Sequence, residues 1–209
     1  MIEGDEERGI EATAPELKTV QDMAKSWELF KDPENPSKGR FHNSIPGWAV
    51  TAFNTERLKA FGLDEYYTDF MPGSDAALAG SLAAAYKRGE PWFGYYWSPT
   101  WVLGMYDMTQ LEEPAYDPEV WEKTKACAIP PNQVNILVHK DLPKKAPDVA
   151  AFLKEYETTA ALNNKFLAQM RSEGMDTGEV AEWFLKNHES VWAEWMPTEV
   201  AEKVKLALK

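Results

Sequence analysis

Apolar and polar positions change period several times along the first 130 residues. Leu17, Val20, Ala24 and Trp27 fall on one face at helical spacing. A helix is therefore predicted over 15–30, with Pro15 in its first turn and the run Lys31-Asp32-Pro33-Glu34-Asn35-Pro36 as its stop. Arg40-Phe41-His42-Asn43-Ser44-Ile45 reads as a strand, Pro46-Gly47 as a break, and 48–61 as a helix closed by Gly62. The same unit recurs as a strand over 67–71, a break at Pro72-Gly73 and a helix over 74–87, where Ser74 or Asp75 can cap exposed amides. A third strand is predicted over 92–97, followed by Ser98-Pro99 and a helix starting within 100–106. Strand, break and helix in repetition is the pattern of a mostly parallel sheet with crossover helices, so this part is read as α/β.

The pattern changes near Pro130-Pro131. Residues 132–140 read as one more strand, with Val134, Ile136 and Val138 alternating with Asn135, Leu137 and His139, and as a place where the chain can cross between lobes. Beyond Pro143 the spacing of Val149, Phe152, Leu153 and Tyr156, of Leu162, Phe166, Leu167 and Met170, and of Val180 and Phe184 is helical, as is 200–208.

Composition narrows the function classes. With 209 residues and 44% hydrophobic content the chain can bury a core, as one large or two small domains. No apolar run approaches the roughly 20 residues of a membrane-spanning helix, and the polar start Met1-Ile2-Glu3-Gly4-Asp5 lacks the apolar stretch of a signal peptide. A formal charge of −12 without a basic cluster argues against nucleic acid and would draw a small cation. Cys127 stands alone, and His42, His139 and His188 lack metal-ligand spacing, so no metal or other cofactor is expected. There is no glycine-rich phosphate loop and no Gly-x-Ser-x-Gly, and runs such as Glu112-Glu113 read as solvated faces, so an enzyme is not the expected class.

The placement of aromatic residues is more informative. Trp48 directly follows Pro46-Gly47, and Trp92, Phe93, Tyr95, Tyr96, Trp97 and Trp101 crowd around Ser98-Pro99. Both groups sit at strand-to-helix junctions, where open α/β sheets bind ligands. A trimethylammonium group has no hydrogen to donate and is recognised by aromatic faces, each worth roughly 0.5–2 kcal/mol when desolvated. Spacing alone leaves two readings open for these rings, a packed core or a crevice wall. Gly47-Trp48-Ala49-Val50 also places the N–H groups of Ala49 and Val50 at a helix start, where they can receive an anionic group or be satisfied by water or Ser44.

At these residues the sequence resembles the glycine betaine/choline family of ABC-transporter substrate-binding proteins. Asn43-Ser44-Ile45-Pro46-Gly47-Trp48 resembles the family's Asn-x-x-x-Gly-Trp segment, and Tyr95-Tyr96-Trp97-Ser98-Pro99-Thr100-Trp101 resembles its Tyr-x-Trp-(Ser/Thr)-Pro-x-Trp segment. Lys38-Gly39-Arg40 and the stretch 184–195 fit it as well.

The resemblance implies a periplasmic-binding-protein type II-like fold in which two α/β lobes close over the ligand. Residues 1–130 would form the second, middle lobe. Residues 131–209 would form the crossover strand and helical C-terminal part of the first lobe, whose N-terminal half, with the remaining cage residues, the chain is expected to lack. By the same resemblance Trp97 and Trp48 join the cation box, the backbone N–H groups of Ala49 and Val50 hold a carboxylate, and Asn43 matches an asparagine that contributes in choline-binding members; its place at a strand-to-helix junction points its amide toward the crevice or, as the other reading, makes it a turn asparagine bonded to local backbone. The family usually has Gly and often Cys where Ala49-Val50 stand, which leaves the choice between glycine betaine, choline and related osmolytes open.

The implied partners are that quaternary-ammonium ligand and the membrane permease subunit of an ABC importer, and the implied location is periplasmic or extracytoplasmic. Two other readings remain, an enzyme on a small cationic or amino-acid-like substrate using the same two-lobe fold and an interaction fragment. Val149, Phe152, Leu153, Phe166, Met170, Phe184 and Trp192 would lack their first-lobe cover. They are expected to pack within the tail and on 132–140 or, as the favoured outcome, to drive self-association.

Overall fold

The computed structural model describes residues 4–130 and 132–208. These divide into two compact units, one taking the residues up to Trp97 and from Tyr106 to 130, the other taking Ser98–Met105 and the residues from Asn132 on. The change of pattern near Pro130-Pro131 therefore falls partly on residue 131, outside the described residues, as do the first three residues of the polar start.

In the first unit the predicted opening helix is shorter and begins later. A 3-10 turn at Val20–Asp22 leads into α1 (Met23–Ser26) and a second 3-10 turn at Trp27–Phe30. The start is set by Thr19, whose hydroxyl accepts from the Asp22 N–H at 3.3 Å while the Asp22 carboxylate accepts from the Thr19 N–H at 2.9 Å, a reciprocal cap. Immediately before it the backbone is committed elsewhere. The Glu112 N–H donates to the Lys18 carbonyl at 2.8 Å, and the Val20 N–H to the Glu112 carbonyl at 3.0 Å. Chain already paired in an extended bridge cannot also form the first turn of a helix at Pro15.

Strand β1 (Gly39–His42) leads to α2 (Ala49–Ala60), and β2 (Tyr67–Phe70) leads to α3 (Asp75–Arg88). The two strands are parallel, in register from Gly39 against Tyr67 to His42 against Phe70. The predicted third strand reduces to a single parallel bridge on the other side of β1. There the His42 N–H donates to the Phe93 carbonyl at 2.9 Å and the Tyr95 N–H to the His42 carbonyl at 2.8 Å. The chains touch at Gly94, where a Cβ would stand 2.5 Å from the His42 carbonyl oxygen, so only glycine permits the bridge. β1 is thus central, and the carboxyl ends of all three segments share one edge. Beneath them Leu17, Met23, Phe41, Leu58, Leu63 and Tyr67 form the core, with Phe93 edge-on to Phe41 and to Tyr67 at 5.1 Å each.

The second unit holds α4 (Trp101–Met105), α6 (Leu142–Lys145), α7 (Pro147–Glu155), α8 (Ala160–Glu173), α9 (Thr177–Asn187), α10 (Glu189–Trp192) and α11 (Thr198–Ala207); α5 (Pro118–Lys123) belongs to the first unit. The strand expected over 132–140 does not form. Val134 is 99% and Leu137 92% exposed, and no other strand exists in this unit among the described residues. Alternation supplies a strand's side chains but not the neighbouring backbone that a strand must pair with.

The tail covers itself only in part. Leu162, Phe184, Trp192, Trp195 and Ala201 are buried, with Phe152 and Phe166 packed against them, and the Trp192 indole N–H donates to the Leu185 carbonyl at 2.8 Å. α4 lies against α8 so closely that a Cβ on Gly104 would meet the Asn164 carbonyl oxygen at 2.2 Å, and the Thr100 N–H donates to the Asn164 side chain at 2.6 Å. Residues 132–140 contribute none of the cover expected of them, and Val149 remains exposed.

Two groups make the first unit's stability testable. Asp32, fully buried, accepts from Arg40 at 2.6 Å and 3.0 Å, and the guanidinium also lies 4.1 Å from the Phe70 ring centre. Arg40→Ala leaves that carboxylate buried and unpaired, and chemical denaturation should show a loss of about 3 kcal/mol or more. His42 stacks on Trp92 at 5.1 Å, and burial holds its pKa below the ordinary imidazole value despite the bond from its ring to the Phe93 carbonyl. An unfolded chain takes up that proton near pH 6.5 while the folded one does not. Stability should therefore fall as pH drops below about 6.5, with a shallower slope in His42→Gln.

Candidate functional site

The shared carboxyl edge gathers the residues singled out in the sequence. After β1 the chain turns through Ile45, Pro46 and Gly47, the last at φ +94°, and Trp48 precedes α2. The turn is fixed from within. The Asn43 amide nitrogen donates to Asp69 on β2 at 2.8 Å and to the Thr51 carbonyl at 3.2 Å, while its oxygen accepts from Asn54 at 3.0 Å and from the Ser44 N–H at 2.6 Å. Thr51 closes the loop by donating its hydroxyl to the Ile45 carbonyl at 2.6 Å. Asn43 is wholly buried, so the expectation that its amide faces the crevice is corrected. A buried amide needs partners for all its polar atoms, and here they come from β2 and α2.

Trp48 and Trp97 come together. Their ring centres are 5.2 Å apart with planes at 67°, and Trp48 is 43% exposed, which takes it out of the core. Tyr96 lies nearly flat on Trp97 at 4.9 Å and 14°, and Tyr95 is near-parallel to it at 6.1 Å. The other aromatics of the crowd go elsewhere. Trp92 is committed to His42 and donates to the Ser81 hydroxyl at 3.1 Å, Phe93 packs on the core, and Trp101 lies in the second unit under Arg171.

Beside Trp48, α2 starts with no side-chain cap and no acidic residue in its first turn. The N–H groups of Ala49 and Val50 belong to that turn, where no intrahelical acceptor exists. Ser44 does not replace one, since its buried hydroxyl makes no hydrogen bond. α3 differs, with the Ser74 hydroxyl accepting from the Ala77 N–H at 3.1 Å and Asp75 in its first turn. Burial raises the phenol pKa of both Tyr95 and Tyr96, and for Tyr96 the carboxylate of Asp75 raises it further, so both rings stay neutral at physiological pH.

The arrangement offers aromatic surface for a cation next to free donors for an anion, a means of holding a ligand without covalent chemistry. Tyr96 and Asp75 are the neighbours that the sequence reading passed over. Tyr96 could have been found from its place beside Trp97, whereas Asp75 reads only as a helix cap. Among the described residues no group of three or more His, Cys, Asp or Glu is placed to hold a metal ion, and no helix is long and apolar enough to cross a membrane. A separate cavity of about 780 Å³ in the same unit, bordered by Asp5, Arg8, Phe30, Tyr86, Trp92 and Asp107, includes neither Trp48 nor Trp97.

The trimethylamine N-oxide-binding protein of Pelagibacter ubique (strain HTCC1062) is 26% identical over 190 residues, covering 89% of this chain and 59% of that protein. The glycine betaine/carnitine transport binding protein GbuC of Listeria monocytogenes (serotype 1/2a, strain 10403S) is 24% identical, over 76% of this chain and 48% of that protein. The chain thus spans about half the length of these curated relatives.

Among solved structures, lactococcal OpuAC in its closed, glycine betaine-bound conformation aligns with a TM-score of 0.53 at 20% identity, over 87% of this chain and 63% of that one. An ABC-transporter choline-binding protein in complex with choline aligns at 0.50 and 17% identity, over 92% and 64%. The fold class is the α/β, periplasmic-binding-protein type II-like one of these structures. Residues 9–187 match the family described as the substrate binding domain of the ABC-type glycine betaine transport system, and the chain belongs to that family.

Proposed function

We propose that this chain supplies a ligand-binding lobe of a substrate-binding protein that captures a small quaternary-ammonium solute outside the cytoplasm and delivers it to the permease subunit of an ABC importer. In that reading residues 1–130 are the second, middle lobe and 131–209 belong to the first. The observation that carries the proposal is the Trp48–Trp97 pair beside the uncapped start of α2. A trimethylammonium group rests against the two indoles, and the carboxylate of a betaine accepts from the N–H groups of Ala49 and Val50. Trimethylamine N-oxide, named for one relative, carries the same two features, a methylated nitrogen and a small anionic oxygen. The formal charge of −12 would draw a net cation such as choline toward the surface, but not a betaine or trimethylamine N-oxide, which carry no net charge.

Calorimetric titration with glycine betaine, choline, carnitine and trimethylamine N-oxide should give binding for at least one of them, with proline as a ligand lacking methylated nitrogen. Trp97→Ala should weaken that binding by about 1–3 kcal/mol while the far-ultraviolet dichroism stays unchanged. Equal affinity in wild type and variant would remove Trp97 from the site.

A further inference from the structure

The hydrogen bonds under the Trp48 turn continue past Asn54 to a buried cation. Arg57, one turn further along α2 and 9% exposed, donates to the Asn54 side-chain oxygen at 3.5 Å and to the Glu113 carboxylate, with which it forms an ion pair. Glu113, part of a run that the sequence pattern reads as a solvated face, thus has a buried partner 56 residues away. Its neighbour Glu112 is tied to Lys18 and Val20 by backbone bonds, which anchors the segment that Glu113 projects from.

Donors and acceptors along this string fit in one order only. The Asp69 carboxylate accepts, from the Asn43 nitrogen at 2.8 Å and from the Thr55 hydroxyl at 2.5 Å. Asn43 therefore turns its oxygen to Asn54, whose nitrogen donates to it at 3.0 Å. The Asn54 oxygen is left facing Arg57, which can only donate. Turning over either amide would set like groups against each other in a buried place. At the far end the Asn43 nitrogen also holds the Thr51 carbonyl at 3.2 Å, and the Thr51 N–H donates to the Trp48 carbonyl at 3.1 Å.

Resting on the reading of Trp48 as a ligand contact, we infer that the Arg57–Glu113 ion pair positions the binding edge from within the lobe. Arg57 is a positioning residue that orients Asn54 and, through it, Asn43 and the Trp48 turn. Glu113 holds the guanidinium in place and balances its charge. Arg57 lies about 12 Å along α2 from Ala49, at 1.5 Å per residue, so it acts through the amides and not by contact with a ligand.

Nuclear magnetic resonance spectra of the full chain, ligand-free and then titrated with glycine betaine, test this alongside thermal unfolding. Arg57→Met alone strands the Glu113 charge and should lower the unfolding temperature. Combining it with Glu113→Gln removes both charges and should recover most of that stability, while the amides still lack their donor end. In the double variant the Asn43 side-chain amide and the Trp48 indole signals should move without ligand, and glycine betaine should bind about five-fold more weakly. Arg57→Lys, which keeps a cation that only donates, should bring signals and affinity back toward wild type. Glu113→Ala, at a partly exposed position, releases the guanidinium and should move the same two signals should the double variant fail to fold. Affinity recovering together with stability in the double variant would make the ion pair structural only and overturn the inference. So would Arg57→Lys as impaired as the double variant, or unmoved Asn43 and Trp48 signals in Glu113→Ala. If the wild-type chain binds no glycine betaine, the quaternary-ammonium reading fails, and the ligand-free signals still report whether Arg57 holds the turn.

Discussion

The turn that carries Trp48 hangs on one buried amide. Asn43 directs its nitrogen to Asp69 on β2 and to α2, and its oxygen to Asn54 and the next backbone N–H, so strand, neighbouring strand and helix are joined through a single side chain. Every polar atom of that amide is used inside the protein, and cutting any of these bonds would leave a desolvated group at a cost of about 1–3 kcal/mol. Because α2 is held at its first turns, Trp48 stands at a fixed place on the carboxyl edge and meets Trp97 instead of swinging free. The exposed ring and the N–H groups beside it depend on this buried network.

That dependence explains what the sequence could and could not disclose. The β1–α2 and β2–α3 units were legible because they are local: Pro-Gly breaks, a Ser74 cap and alternating strands sit within a few residues of one another. The encounter of Trp48 with Trp97 was legible as a shared position at two strand-to-helix junctions, since the junctions of parallel strands lie on one edge. The role of Asn43 was not. Its partners Asp69 and Asn54 lie 26 and 11 residues away in sequence, and nothing in a motif tells a buried strut from a ligand contact. Two of the misjudged elements fail for a related reason. The backbone on either side of Thr19 is drawn into pairing with Glu112, a distant segment, and residues 132–140 have a strand's alternation but no strand beside them.

In the proposed reading the site works by electrostatics and shape. Aromatic faces attract a cation that cannot hydrogen-bond, and helix donors attract an anion. Each contact is modest, so affinity rests on several acting together, and specificity on how the charges are spaced. The family match covers residues 9–187, and the pairing of Trp48 with Trp97 falls within it.

The most direct measurement is a nuclear magnetic resonance titration with glycine betaine, following indole and backbone N–H signals. Saturable shifts are expected at the Trp48 and Trp97 indoles and at the Ala49 and Val50 amides, with the Trp92 indole unmoved. Shifts confined to Trp92 and the residues bordering the separate cavity, or none at saturating ligand, would contradict it.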